Sequence, residues 1–227
     1  MDSLRFINSN VKLLYSYCRT EKNLQEKILK MSKKLIINKS GILNTTVKPF
    51  NKHVNNDYYK RMRKLIGEHY RFLTWLGMQF KNEKFYDLGT RAGASAMCLG
   101  YERSNKVVSY DISDELKIKH NFNFTEFPNI EFRLKDIAYE PIETFLDGTV
   151  ILLDIDHSGK TEKKFFDNLC QTNYNGILIM DDINYYKFKE LGKFWKSITK
   201  PKYIVDIAHH SGTGIVPFGD WEIEIVK

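Results

Sequence analysis

The sequence contains no long apolar run, and nothing in it approaches the roughly 20 consecutive apolar residues that a membrane-spanning helix needs, so no membrane partner is expected. The opening Met1-Asp2-Ser3-Leu4-Arg5 lacks the continuous apolar stretch of a secretory signal. Cysteine is scarce. Cys18, Cys98 and Cys170 stand far apart, with neither metal-ligand spacing nor the even number of a disulfide framework. Together these absences make a reducing, cytoplasmic setting the expectation. No internal repeat and no low-complexity tract interrupts the chain.

What is present suits one α/β domain with a helical attachment. The 227 residues, 42% of them hydrophobic and 14% aromatic, can bury a full core. The net charge of +7 is unevenly placed: residues 1–80 hold 16 Lys/Arg against 5 Asp/Glu, and the rest hold 19 against 23. The basic excess is therefore N-terminal. It reads as a solvated helical face, a patch for an anionic partner, or a plain lysine bias.

Residues 1 to about 40 show helical spacing through Leu13, Leu14 and Tyr17, then Leu24, Ile28, Met31 and Leu35. Residues 38–56, with Gly41, Pro49 and several Asn, read as a loop. A helix is expected over 57–77, with Asp57 as N-cap and Met62, Leu65, Ile66, His69, Phe72, Leu73 and Leu76 as its apolar stripe. From Lys84 the rhythm becomes short strands alternating with helices. Strands are expected at 84–88, 106–110, 130–134, 149–154 and 176–181, and helices at 93–103, 113–120, 138–146, 161–172 and 186–198. That rhythm predicts a doubly wound, mostly parallel sheet covered on both faces. Two late runs, 202–207 and 221–226, are expected to pair antiparallel at its edge.

The first βα unit carries the sharpest signal. Phe85-Tyr86-Asp87-Leu88 reads as a strand, Gly89-Thr90-Arg91-Ala92-Gly93 as a tight turn, and Ala94-Ser95-Ala96-Met97 as a helix start. Small residues there let a ligand approach the backbone, and free N–H groups face a carboxylate. The next strand ends Val107-Val108-Ser109-Tyr110-Asp111, placing an acid about 20 residues past the turn, where it can accept from both ribose hydroxyls. The Gly-x-Gly-x-x-Gly of a pyrophosphate-binding turn is absent, because only Gly89 and Gly93 occupy it. A nucleoside cofactor with an amino-acid tail is favoured.

Asp87-Leu88-Gly89-x-x-x-Gly93-x-Ser95, followed by Tyr110-Asp111, resembles the first two motifs of class I S-adenosylmethionine-dependent methyltransferases, over about residues 80–227. The resemblance implies a Rossmann-like seven-stranded sheet with an antiparallel edge strand, preceded by N-terminal helices. Residues 79–227 would be the methyltransferase domain. Residues 1–78 would be a helical extension for substrate or oligomer contacts, and its helices are candidates for a homodimer contact, with the oligomeric state left open by the sequence. Asp87, Gly89, Thr90, Gly93 and Ser95 would line the methionine end of S-adenosylmethionine, Asp111 would hold the ribose, and Asp136 would lie near the adenine. An Asp in that last place is also a common helix cap.

Two further strands end in acids, Leu153-Asp154-Ile155-Asp156-His157 and Met180-Asp181-Asp182-Ile183. Ligands bind at the C-terminal edges of strands in such sheets. Carboxylates gathered there repel one another unless a cation lies between them, and a hard divalent ion, Mg²⁺ or Mn²⁺, suits oxygen ligands. Helix capping explains one Asp at each strand end, but not two at both.

The pattern is similar to the metal-dependent O-methyltransferases, especially the macrocin-type sugar enzymes. That likeness implies Asp154, Asp181 and Asp182 as metal ligands and Asp156 as the base, with His157 as a competing base. Catechol and caffeoyl-CoA enzymes commonly carry Asp-Asn where Asp181-Asp182 stands, so the resemblance tilts towards a sugar or glycan hydroxyl. A catechol-like small phenol, an RNA acceptor and a non-catalytic scaffold are the rivals. Against RNA, no Lys–Asp–Lys–Glu set and no Asn/Asp-Pro-Pro-Tyr motif is found. His209, His210 and Ser211 lie in a loop that could overhang the site, and Tyr58, Tyr59 and Tyr70 could stack on a sugar or form a dimer contact.

Overall fold

The structure, a computed structural model, describes residues 33–46, 67–115 and 127–226. It opens with strand β1 (Lys33–Asn38) and helix α1 (Lys39–Asn44), and resumes with α2 (Gly67–Met78). There follow β2 (Lys84–Leu88), α3 (Ala94–Leu99), β3 (Lys106–Asp111), β4 (Ile130–Leu134), β5 (Val150–Leu153), α4 (Lys160–Cys170), β6 (Ile177–Met180) and α5 (Lys189–Ser197). The last elements are β7 (Tyr203–Val205), β8 (Thr213–Pro217) and β9 (Trp221–Val226).

Seven strands form one sheet in the order β4-β3-β2-β5-β6-β8-β7. The five from β4 to β6 run parallel, and β8 lies antiparallel to both β6 and β7. The order reverses direction between β2 and β5, which opens a crevice above their C-terminal ends.

Strand periodicity of two divides the core between the faces of the sheet. Phe85, Val107, Val150, Leu152, Ile177 and Ile179 point to one side, where α2 and α3 pack. Tyr86, Leu88, Val108, Ile151, Leu153, Leu178 and Met180 point to the other, beneath α4 and α5. On α2, positions 69, 72, 73 and 76 share the buried face, so the spacing that buries Phe72, Leu73 and Leu76 also carries His69 inward. Gly77 lets α2 approach α3, since a Cβ there would stand 2.5 Å from the Leu99 carbonyl oxygen.

Several sequence expectations are corrected. Residues 33–38 are a strand rather than the end of a helix: Leu35 and Ile37 are buried while Lys34, Ile36 and Asn38 are exposed, a period of two. The late pair is β7 with β8. The segment read as a turn at Gly212-Thr213-Gly214 runs into buried strand β8, and β9 instead pairs with β1 in a separate two-stranded sheet. Two short 3₁₀ turns, Ile137–Tyr139 and Ile142–Phe145, replace the helix expected at 138–146, because Pro141 divides the segment. Residues 39–44 form α1 within the expected loop, with Asn38 capping Gly41 N. The helical readings over 1–32 and 57–66, Asp57, Tyr58 and Tyr59, and most of 113–120 lie outside the described residues.

Candidate active site

A cleft of about 670 Å³ opens over the C-terminal ends of β2, β3, β5 and β6. Every predicted site residue lines it except Asp87 and Gly93, which belong to the strand end and turn beneath.

One half is built from the backbone after β2. Gly89 (φ +99) and Gly93 (φ +77) adopt left-handed conformations. Gly89 is also pressed against β5: a Cβ there would lie 1.7 Å from the Asp154 carbonyl oxygen. Beneath the loop, Asp87 is buried and accepts a hydrogen bond from Ser109 Oγ at 2.9 Å. Burial raises its carboxyl above the usual range. Asp87 Oδ1 and Thr90 Oγ1 are buried beneath the cleft and make no well-formed hydrogen bond, although the Thr90 and Ser95 hydroxyls stand close enough to Asp87 to draw its carboxyl partly back down.

Asp111 accepts from Arg91 N at 2.6 Å and Ser113 N at 2.8 Å. Each carboxylate oxygen keeps a further acceptor position for a ribose hydroxyl. Asp136 accepts from Ala138 N at 2.9 Å, capping the 3₁₀ turn, and stands in the same wall.

The other half is built from side chains. Asp154 follows β5, and Asp181 and Asp182 follow β6; the ladder bonds Asp154 N to Leu88 O (2.9 Å) and Asp181 N to Leu153 O (3.3 Å) stagger them along one edge. His157 Nε2 lies 3.4 Å from both Asp154 Oδ1 and Asp182 Oδ2. Burial, with the negative charges of Asp181 and Asp182, pushes the Asp154 carboxyl well above the usual carboxylate range. Burial works the same way on Asp181, but His69 and His209 outweigh it and hold that carboxyl at about 2.

Asp156 is engaged elsewhere. Its oxygens accept from Ser158 N (3.0 Å) and Thr161 Oγ1 (2.7 Å) in the turn that opens α4. Against the upward pull of burial, these bonds keep its carboxyl below the usual range.

Sequence reasoning placed His69 on an apolar stripe and missed its role in the cleft. His69 Nδ1 stands 3.6 Å, and His209 Nδ1 3.0 Å, from Asp181 Oδ1. Thr213 Oγ1 donates to the same oxygen at 3.3 Å. Among the described residues, His69, Asp181 and His209 form the one group of three potential metal ligands whose ligand atoms all lie within 4.8 Å of one another. The β7–β8 loop carrying His209 is fixed to the end of β6 by Asn184 N to Ser211 O (2.7 Å) and Ile183 N to Gly212 O (3.2 Å). Ser211 Oγ donates to Asp182 Oδ1. The only sequence signal for His69 was a histidine within an otherwise apolar helical face.

Three of the four described non-glycine residues with positive φ, namely Arg91 (φ +48), His157 (φ +57) and Asp182 (φ +58), line this cleft. Such conformations cost energy and concentrate at functional sites.

No protein-family model and no curated protein matches the chain. Solved structures do resemble it. A protein from Staphylococcus aureus assigned as a caffeoyl-CoA O-methyltransferase superposes with a TM-score of 0.53 at 16% identity, covering 76% of this chain and 97% of its own. Cofactor-bound Rv0187 from MTB superposes with a TM-score of 0.51 at 11% identity, covering 67% of this chain and 80% of its own. At these identities the likeness establishes the fold alone, a Rossmann-like, mostly parallel seven-stranded sheet with antiparallel strands at one edge. Among the described residues no helix is long and apolar enough to cross a membrane.

Proposed function

We propose that the protein is an S-adenosylmethionine-dependent O-methyltransferase that uses a divalent cation and acts on a hydroxyl of a sugar or glycan. The observation that carries this reading is the continuity of the cleft. A glycine loop with an acid at the next strand end leads directly into a centre of three carboxylates, Asp154, Asp181 and Asp182.

The residues fit both groups. The orphaned Thr90 hydroxyl and Asp87 Oδ1 lie beneath the loop that would take the methionine end. The Gly89–Gly93 backbone would hold that end, Asp111 the ribose, and Asp136 the wall beside the adenine. A cation fits the acidic end, where crowded carboxylates raise Asp154 and the buried His69 Nδ1 makes no hydrogen bond. Asp181, with Asp154 and Asp182 beside it, would hold the cation, which when bound lowers the pKa of an acceptor hydroxyl.

With the donor bound, the acceptor oxygen would attack the methyl carbon as the carbon–sulfur bond breaks, and S-adenosylhomocysteine would be the leaving group. The acceptor proton passes to His157, and the carboxylates of Asp154 and Asp182 stabilise the imidazolium that forms. Asp156, with both oxygens engaged at the start of α4, holds the turn that presents His157. The protein's main contribution is alignment of sulfur, methyl carbon and acceptor oxygen.

The sugar reading is supported by Asp182 and by an aromatic group beside the base. Phe188 lies 4.3 Å from the His157 ring, Tyr185 lies 5.0 Å from both Phe188 and Tyr186, and Tyr186 is 71% exposed. Aromatic faces of this kind suit the C–H face of a sugar ring.

Calorimetric titration with S-adenosylhomocysteine, followed by turnover assays on a glycoside panel with and without chelator, tests the reading. Nucleoside binding and chelator-sensitive methylation are expected. A protein that binds no S-adenosylhomocysteine is not this enzyme.

A further inference from the structure

The acidic end of the cleft holds more nitrogen than a magnesium centre requires. His69 from α2 and His209 from the β7–β8 loop both direct Nδ1 at a single oxygen, Asp181 Oδ1, at 3.6 and 3.0 Å. An ordinary His–Asp pair uses one imidazole N–H for one carboxylate oxygen. Here two imidazoles and the Thr213 hydroxyl converge on one atom, and His69 Nδ1, only 4% exposed as a residue, is left without a hydrogen bond. Ligand atoms sharing one ion at ~2.0–2.2 Å stand ~3.0–3.5 Å apart around it. The two distances to Asp181 lie close to that range, and all three ligand atoms lie within 4.8 Å of one another.

We infer that His69, Asp181 and His209 form a two-histidine, one-carboxylate centre selective for a borderline divalent transition ion of the Zn²⁺, Fe²⁺ or Co²⁺ type over Mg²⁺. The inference deepens the proposed function by naming the class of cation and rests on that reading only in placing a cation at Asp181. Two imidazoles in the ligand set favour transition ions, because Mg²⁺ takes oxygen ligands and holds its waters. Asp154, Asp182 and His157 line the same cleft beside this centre. The helix α2 becomes part of the catalytic centre through His69, although it lies outside the alternating strands and helices of the sheet.

The test uses the full chain, stripped of metal. Cobalt(II) added to the wild type should give visible d–d absorption and two hyperfine-shifted, exchangeable imidazole proton signals. Zn²⁺ should bind far more tightly than Mg²⁺, and His69→Gln and His209→Gln should each weaken Zn²⁺ binding by about 100-fold or more, since losing a mere hydrogen-bond partner of a metal ligand already costs about 10- to 100-fold. The cobalt spectrum of the wild type needs no variant, so misfolding of His69→Gln does not decide the matter. Cobalt that binds without shifted imidazole signals, Zn²⁺ affinity unchanged in folded variants, or Mg²⁺ preferred over Zn²⁺ would each overturn the inference. S-adenosylhomocysteine is titrated into the same samples. Nucleoside binding with no transition-metal binding ends the inference and leaves the methyltransferase reading standing. Two imidazole signals without nucleoside binding keeps the metal centre and removes the methyltransferase reading.

Discussion

The two halves of the cleft are made in different ways. The half proposed to hold the nucleoside comes from one stretch, residues 87–95, and the acid ending the next strand, with its geometry set by glycine backbone and N–H groups. The acidic half draws on four separate places: α2, the end of β5, the end of β6 and the β7–β8 loop. The first half is local and backbone-led, so it depends on a few torsions. The second depends on tertiary packing to bring charged side chains together at a cost in desolvation.

Four variants would break or sharpen this contrast. Asp181→Ala removes the carboxylate on which both histidines converge; turnover should fall on the order of 10³-fold or more, with S-adenosylhomocysteine affinity by calorimetry nearly unchanged. Loss of nucleoside binding there would show that the halves are not separable. Gly89→Ala should be next, with a cost of about 3 kcal/mol or more in thermal unfolding, since the new Cβ meets backbone and the residue must keep a positive φ. An unchanged melting temperature would mean that the approach to Asp154 relaxes freely.

His157→Gln should lower turnover by roughly 10²-fold while leaving nucleoside affinity intact, the expected loss for a proton acceptor. Single-turnover methyl transfer measures it, and an unaltered rate would move the base elsewhere. Asp111→Ala should give the smallest effect, weakening S-adenosylhomocysteine by roughly 10-fold as charge-assisted hydrogen bonds to the ribose are lost. Metal binding should be untouched, and a parallel loss of metal would contradict the division.

This contrast also explains what was legible in the sequence. The alternation from Lys84 onward and the Asp87–Ser95 turn could be read because both are local patterns, and the parallel sheet follows from them. Asp154, Asp181 and Asp182 were visible as strand-end pairs. His69 was not, because its place on the stripe of Phe72, Leu73 and Leu76 is the same whether the ring meets leucine or a carboxylate. Its partner, Asp181, lies 112 positions further along the chain, and no local pattern spans such an interval. The exchange of β8 and β9 arose likewise: both have strand character, and burial and pairing decide which joins the large sheet.

The contact between Gly89 and the carbonyl of Asp154 has a geometric consequence. The loop expected to seat the donor sulfur and the strand end that begins the acceptor's surroundings touch main chain to main chain, with no side chain interposed as a spacer. In the proposed reaction, the gap a methyl group would cross is gauged by the register of β2 against β5, a property of the hydrogen-bond ladder. Loops around the rim can then diverge to admit new acceptors while the span between donor and acceptor stays constant.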